Sequence, residues 1–174
     1  MIQVIITGIL LGGLYSMIGV GMSLVFGIMG LTNLAHGDLM ILGTYITMVV
    51  ANALGCNLIV STLISVVVMC VLGFVIQQFL VNQVMDKGQA PALLVTFGLS
   101  IFLSNLMLKI FSADNQIINN PLASKNVITT DVLSISASYL VSFIIACAII
   151  IGLSLMMQKT NFGRAIRATS DDVM

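Results

Sequence analysis

Long apolar runs alternate with short polar interruptions along this chain. Ile2 to Met29 is almost wholly apolar, and at about 1.5 Å per helical residue it is long enough to cross a hydrocarbon core about 30 Å thick. Gly30 to Gly37 interrupts the pattern, and Asp38 to Ala53 resumes it, with Gly43, Thr47 and Ala51 four residues apart. A polar turn, Asn52 to Asn57, precedes a third segment from Leu58 to Leu80 that ends in polar Gln77 and Gln78. Asn82 to Ala90 reads as an aqueous loop, and Pro91 is placed to begin the fourth segment, Ala92 to Phe111. Ser112 to Ala137 is the one long hydrophilic stretch, carrying Asp114, Asn119, Asn120, Pro121, Lys125 and Asp131, with room for a short β-like or irregular excursion. The fifth segment covers Ser138 to Met157, and a polar tail follows from Gln158 to Met174. The pattern predicts an all-α, polytopic transmembrane helical bundle of about five segments, because in lipid a helix satisfies its own backbone.

Small residues within these segments are in register. Gly8, Gly12, Ser16, Gly19, Ser23 and Gly27 recur at intervals of three or four, which gathers them on one side of a helix and predicts a close-packing face. In the fourth segment Thr96, Ser100 and Ser104 lie four apart, in the company of Gly98. That face either lines a polar path or bonds helix to helix.

Composition agrees with a bilayer as solvent. The 174 residues are 59% hydrophobic and 7% charged, with no glutamate or tryptophan, and the mean hydropathy is +1.18. This excludes an ordinary soluble domain. A net charge of zero offers no basic surface for nucleic acid. Cys56, Cys70 and Cys147 are scattered through apolar sequence without a paired spacing and read as small hydrophobes. The first segment lacks a positive flank and outlasts a signal-peptide core, so it is expected to stay as a span. Lys87, Lys159, Arg164 and Arg167 fall on one side if the fourth and fifth segments each cross once, which makes that side, with the tail, cytoplasmic. Lys109 and Lys125 fall opposite.

Asn33-Leu34-Ala35-His36-Gly37-Asp38 holds the only histidine and the first charge of the chain. A metal site needs three or four ligands, and there is no second histidine and no nearby Glu or Cys. A hydrolase needs a nucleophile with a positioned base, and Ser23 or Thr32 offers only proximity in sequence. Gly30 and Gly37 permit turns, a helix restarting near His36 leaves N–H groups unpaired, and Asp38 can cap them or complement the dipole. Two readings stand: a satisfied helix cap at the membrane surface, or a discontinuous helix within the membrane whose end faces a polar solute. Simple spans put residues 30–38 on the cytoplasmic side. A break within the membrane changes the N-terminal topology.

Three groups of residues resemble the N-terminal signature of branched-chain amino-acid ABC transporter permeases, of which urea-type permeases are close relatives: Gly13-Leu14-Tyr15-Ser16, Gly19 to Gly27, and Thr32 to Asp38. Leu94 to Ser100 and Thr160-Asn161-Phe162-Gly163-Arg164-Ala165-Ile166-Arg167-Ala168 are similar to later blocks of the same family, in the same order. The resemblance implies that residues 1–174 are the N-terminal part of a single permease transmembrane domain, a truncated subunit in the bacterial inner membrane. It implies a second permease subunit, two cytoplasmic ATPases that bind the ATP, and an external solute-binding protein as partners. No cofactor of the chain's own is expected, and no phosphate-binding glycine loop ending in Lys-Ser or Lys-Thr is present. On this reading the chain is not an enzyme, Asn33, His36, Asp38, Thr96 and Ser100 line or gate a solute path, and Gly163, Arg164 and Arg167 approach the ATPases. Membrane anchoring by positive charge explains the two arginines equally well. The alternatives are a passive channel for a small solute such as urea, and a structural membrane subunit.

Overall fold

The computed structural model describes residues 1–30, 32–55, 57–85, 87–112, 126–130, 133–161 and 163. Among them, five helical stretches are long and apolar enough to cross a membrane. In chain order the elements are α1 (Ile2–Met29), α2 (His36–Leu54), α3 (Leu58–Ile76), a π-helical turn (Gln77–Val81), α4 (Asn82–Met85), α5 (Gln89–Phe111), strands β1 (Asn126–Thr130) and β2 (Leu133–Ser136), and α6 (Ala137–Lys159). All five expected spans are present. β1 and β2 pair antiparallel, from Asn126 opposite Ser136 to Thr130 opposite Leu133, so the long polar stretch does contain a β excursion. Asp114, Asn119, Asn120, Pro121, Lys125 and Asp131 lie outside the described residues.

Boundaries moved where turn chemistry and helix continuity compete. The third segment does not stop at Leu80, because Gln77 to Met85 remains helical through the π turn. There the polar side chains bond to one another along the helix: Gln77 Nε2 donates to Asn82 Oδ1 at 2.8 Å, and Asn82 Nδ2 donates to Gln78 Oε1 at 3.2 Å. Residues expected to form an aqueous loop therefore extend the span. α5 starts at Gln89, two residues before Pro91, and a proline in the first turn costs no helical bond. Gly88, at φ 99°, ends the short connection. Gly37 lies inside the first turn of α2 rather than in a turn preceding it.

The chain divides into two compact units. One contains α1, the hairpin and α6, with α1 and α6 side by side. Gly13 is a point of close approach, since a Cβ built there would collide with the Phe143 ring. The six small residues from Gly8 to Gly27 are all exposed, and a Cβ at Gly8, Gly12, Gly19 or Gly27 would meet no atom within 4 Å. Within this unit, then, α6 packs on the face carrying Gly13 rather than on the small-residue stripe.

The other unit contains α2 to α5. α5 buries Ala92, Thr96, Leu99, Leu103 and Met107, a stripe at helical spacing. Leu99, Leu103 and Met107 join Ala35 in the core, packed against Leu39, Leu42, Tyr45, Ile76 and Phe111. α2 and α3 are tied by Ser65 Oγ, which donates to the Gly43 carbonyl at 2.9 Å.

Candidate functional site

The break before α2 is built by two residues. Gly30 ends α1 in the left-handed conformation (φ 62°), its N–H donating to the Phe26 carbonyl at 2.8 Å. Asn33 shapes the start of α2: its Oδ1 accepts from the Ala35 N–H at 3.0 Å, and its carbonyl accepts from the His36 N–H at 3.2 Å. Asn bonding to the backbone two residues on is a turn-forming habit of this side chain. Asn33 is thus occupied with local backbone.

Asp38 does something else. The N-cap of α2 is Ala35, with no side-chain cap bond, so Asp38 makes no cap, although as the acidic residue of the first turn it stands where it complements the helix dipole. Its carboxylate reaches across to α5, where Ser100 Oγ donates to Oδ2 and Ser104 Oγ donates to Oδ1 at 2.6 Å. Both serines and the aspartate are half-buried. No ion pair reaches Asp38 among the described residues.

This pairing sets where α2 starts along α5. Ser100 is the central residue of α5, with eleven helical residues before it and eleven after. Tyr45 stacks on Phe111, the last residue of α5, with ring centroids 4.1 Å apart and planes at 11°. α2 therefore runs parallel to α5, begins level with its middle, and extends nine residues beyond its end, about 13 Å. The first turn of α2 therefore stands beside the middle of α5. Asp38 thus joins the start of α2 to a neighbouring helix instead of closing the end of its own.

The remaining expected residues separate. His36 opens α2, and its Nε2 is buried with no partner among the described residues. Thr96 is 5% exposed and spends its hydroxyl on the Leu93 carbonyl at 3.1 Å within its own helix, so the structure joins only Ser100 of that pair to Asp38. Ser104 belongs with Ser100. Its signal was its place in the Thr96, Ser100, Ser104 register, which did not say which members meet a partner. An apolar cavity of about 640 Å³ lies between α3 and α5, with Leu72, Ile76, Val95 and Phe102 in its wall; at about 100° per residue these positions of α5 turn away from Ser100 and Ser104. It offers a polar solute nothing.

At the end of α6, the Gly163 N–H donates to Thr160 Oγ1 at 3.2 Å, and Thr160 Oγ1 donates to the Met156 carbonyl at 2.6 Å. A Cβ at Gly163 would strike the Met157 backbone. Glycine there is a packing requirement. Arg164 and Arg167 lie outside the described residues.

Comparison with known proteins gives these features a context. A family profile described as "Branched-chain amino acid transport system / permease component" matches residues 4–174. The high-affinity branched-chain amino acid transport system permease protein BraD of Pseudomonas aeruginosa is 24% identical over 99% of this chain and 60% of its own length. The permease proteins LivH of Escherichia coli and of Salmonella typhimurium, of the same kind of system, are each 25% identical over 99% of this chain and 59% of theirs. The chain thus spans about three fifths of the length of these relatives. No solved structure matches it significantly.

Proposed function

We propose, since this chain belongs to the family of permease components of branched-chain amino acid transport systems, that it forms part of an importer subunit carrying branched-chain amino acids or a related small polar solute. The direction is inward across the bacterial inner membrane. A second permease subunit, two cytoplasmic ATPases and an external solute-binding protein complete the assembly, and ATP turnover in the ATPases rocks the permease pair between outward and inward access. The observation that carries this reading is the family match over residues 4–174. The polar trio of Asp38, Ser100 and Ser104 midway along α5 supports it, because transporter sites are commonly built where a broken helix starts near the bilayer midplane. Asn33 would hold the break in shape, His36, Asp38 and Ser100 would line or gate the path, and Thr96 would back them. Gly163, Arg164 and Arg167 would carry the motion of the ATPases to the bundle, with the tail cytoplasmic.

Solute uptake by vesicles containing the assembled complex tests the proposal. Uptake should require ATP on the cytoplasmic side. Flux that persists unchanged without nucleotide would indicate a passive channel, and no flux at all a structural subunit. Removing the charges of Arg164 and Arg167 should reduce co-purification of the ATPases. Full recovery would leave those arginines as topology anchors.

A further inference from the structure

We propose that the Asp38 carboxylate, held by Ser100 and Ser104, is the seat for a primary ammonium group, the α-ammonium of an amino-acid solute in transit. This inference rests on the transport reading above. The carboxylate accepts from one hydroxyl at each oxygen, and an ionised carboxylate is acceptor-only. Two neutral donors relieve its desolvation without cancelling its charge, and no described cation pairs with it. An ionisable side chain within a membrane-spanning bundle is costly, and such residues mark pathways or find a counter-charge. Joining α2 to α5 needs no charge at all, since Ser65 joins α3 to α2 through a neutral bond. Its charge is therefore left for a cation to meet.

The donor set selects its kind. Each carboxylate oxygen has lone pairs to spare, and each serine hydroxyl, while donating its hydrogen bond to Asp38, can still accept through its oxygen. That makes a compact set of oxygens carrying one negative charge, enough for the three N–H donors of an ammonium. A hard metal ion draws about six oxygens or more around it, and Asp38, Ser100 and Ser104 supply four with a single carboxylate. Among the described residues no three His, Cys, Asp or Glu side chains converge on a metal site. Ser100 and Ser104 act as positioning residues, presenting the carboxylate in one orientation.

The test uses the full-length permease in its assembled complex in lipid nanodiscs. A hydrophobic carbodiimide modifies Asp38, and the extent is read from the mass of the peptide carrying it. Leucine and isobutylammonium should each slow modification, by about tenfold at about ten times the dissociation constant, whereas isocaproate, which keeps the branched chain and carboxylate but lacks the ammonium, should not. Protection by isocaproate equal to that by leucine, equal protection by sodium chloride, or no protection by any of them would overturn the proposal. In the transport assay Asp38→Asn should lower leucine uptake on the order of tenfold or more, with Asp38→Glu restoring part of it at equal membrane abundance. Uptake by Asp38→Asn equal to wild type would also overturn it. ATP-driven uptake without protection sinks this inference alone, while protection without ATP-driven uptake sinks the importer reading and leaves the ammonium site.

Discussion

Asp38 and Ser104 are 66 residues apart in sequence and 2.6 Å apart in space. With Ser100 on the other carboxylate oxygen, this contact joins the first turn of α2 to the middle of α5. Replacing both serines by alanine leaves a half-buried carboxylate without donors, a loss of roughly 2–4 kcal/mol for a charged acceptor. Thermal denaturation of the detergent-solubilised permease should register it as a fall in Tm. An unchanged Tm in the double variant would mean that the two hydroxyls do not hold Asp38.

Depth gives a second prediction. Leu34, just before α2 and exposed, should lie near the bilayer centre, as Ile101 does beside Ser100, while Phe111 lies near an interface. Single cysteines at these positions, labelled with a fluorophore, should show Leu34 and Ile101 quenched most by lipids brominated near the chain ends. Headgroup-level quenching at Leu34 would refute a mid-depth start for α2.

His36 Nε2 is buried without a partner among the described residues. An unmet polar atom of this kind costs about 1–3 kcal/mol. His36→Leu should therefore leave stability unchanged or raise it, by up to about 1 kcal/mol after the imperfect fit of the new side chain is counted. A lower uptake in a variant as stable as wild type would assign the histidine to the transport path. Lower stability would show that the ring makes a bond essential to the fold.

Gly13 and Phe143 meet in the unit containing α1 and α6. Gly13→Ala forces the ring aside, at about 1–3 kcal/mol, and Phe143→Leu should recover part of that loss in a double-mutant cycle. Gly8→Ala and Gly12→Ala, whose added methyl groups meet nothing within 4 Å, are expected to be neutral toward this contact. Disulfide trapping between cysteines placed in α1 and α6 measures the effect.

Much of the fold was legible because lipid imposes strong rules. A run of apolar residues long enough to span must form a helix there, and five such runs became five helical stretches. End points were less legible. Asn82 onward read as an aqueous loop, but side-chain bonds from Gln77 and Gln78 to Asn82 accompany a helix that runs on to Met85. The small-residue stripe on α1 was visible too, but periodicity gives only a face. It does not say what meets that face, and in this unit the approach to α6 runs through Gly13.

The sequence by itself determined the class of solvent, the number of spans, the break between Gly30 and His36 and the polar residues around it, since hydropathy, glycine conformation and Asn turn chemistry are local properties. Tertiary structure decided what those residues do. Whether Asp38 caps its own helix or reaches another depends on where α2 stands along α5, and that register comes from contacts 62 and 66 residues away together with the stacking of Tyr45 on Phe111. No local pattern encodes a helix's depth, because depth arises only when separate helices pack. That packing places a carboxylate halfway along α5.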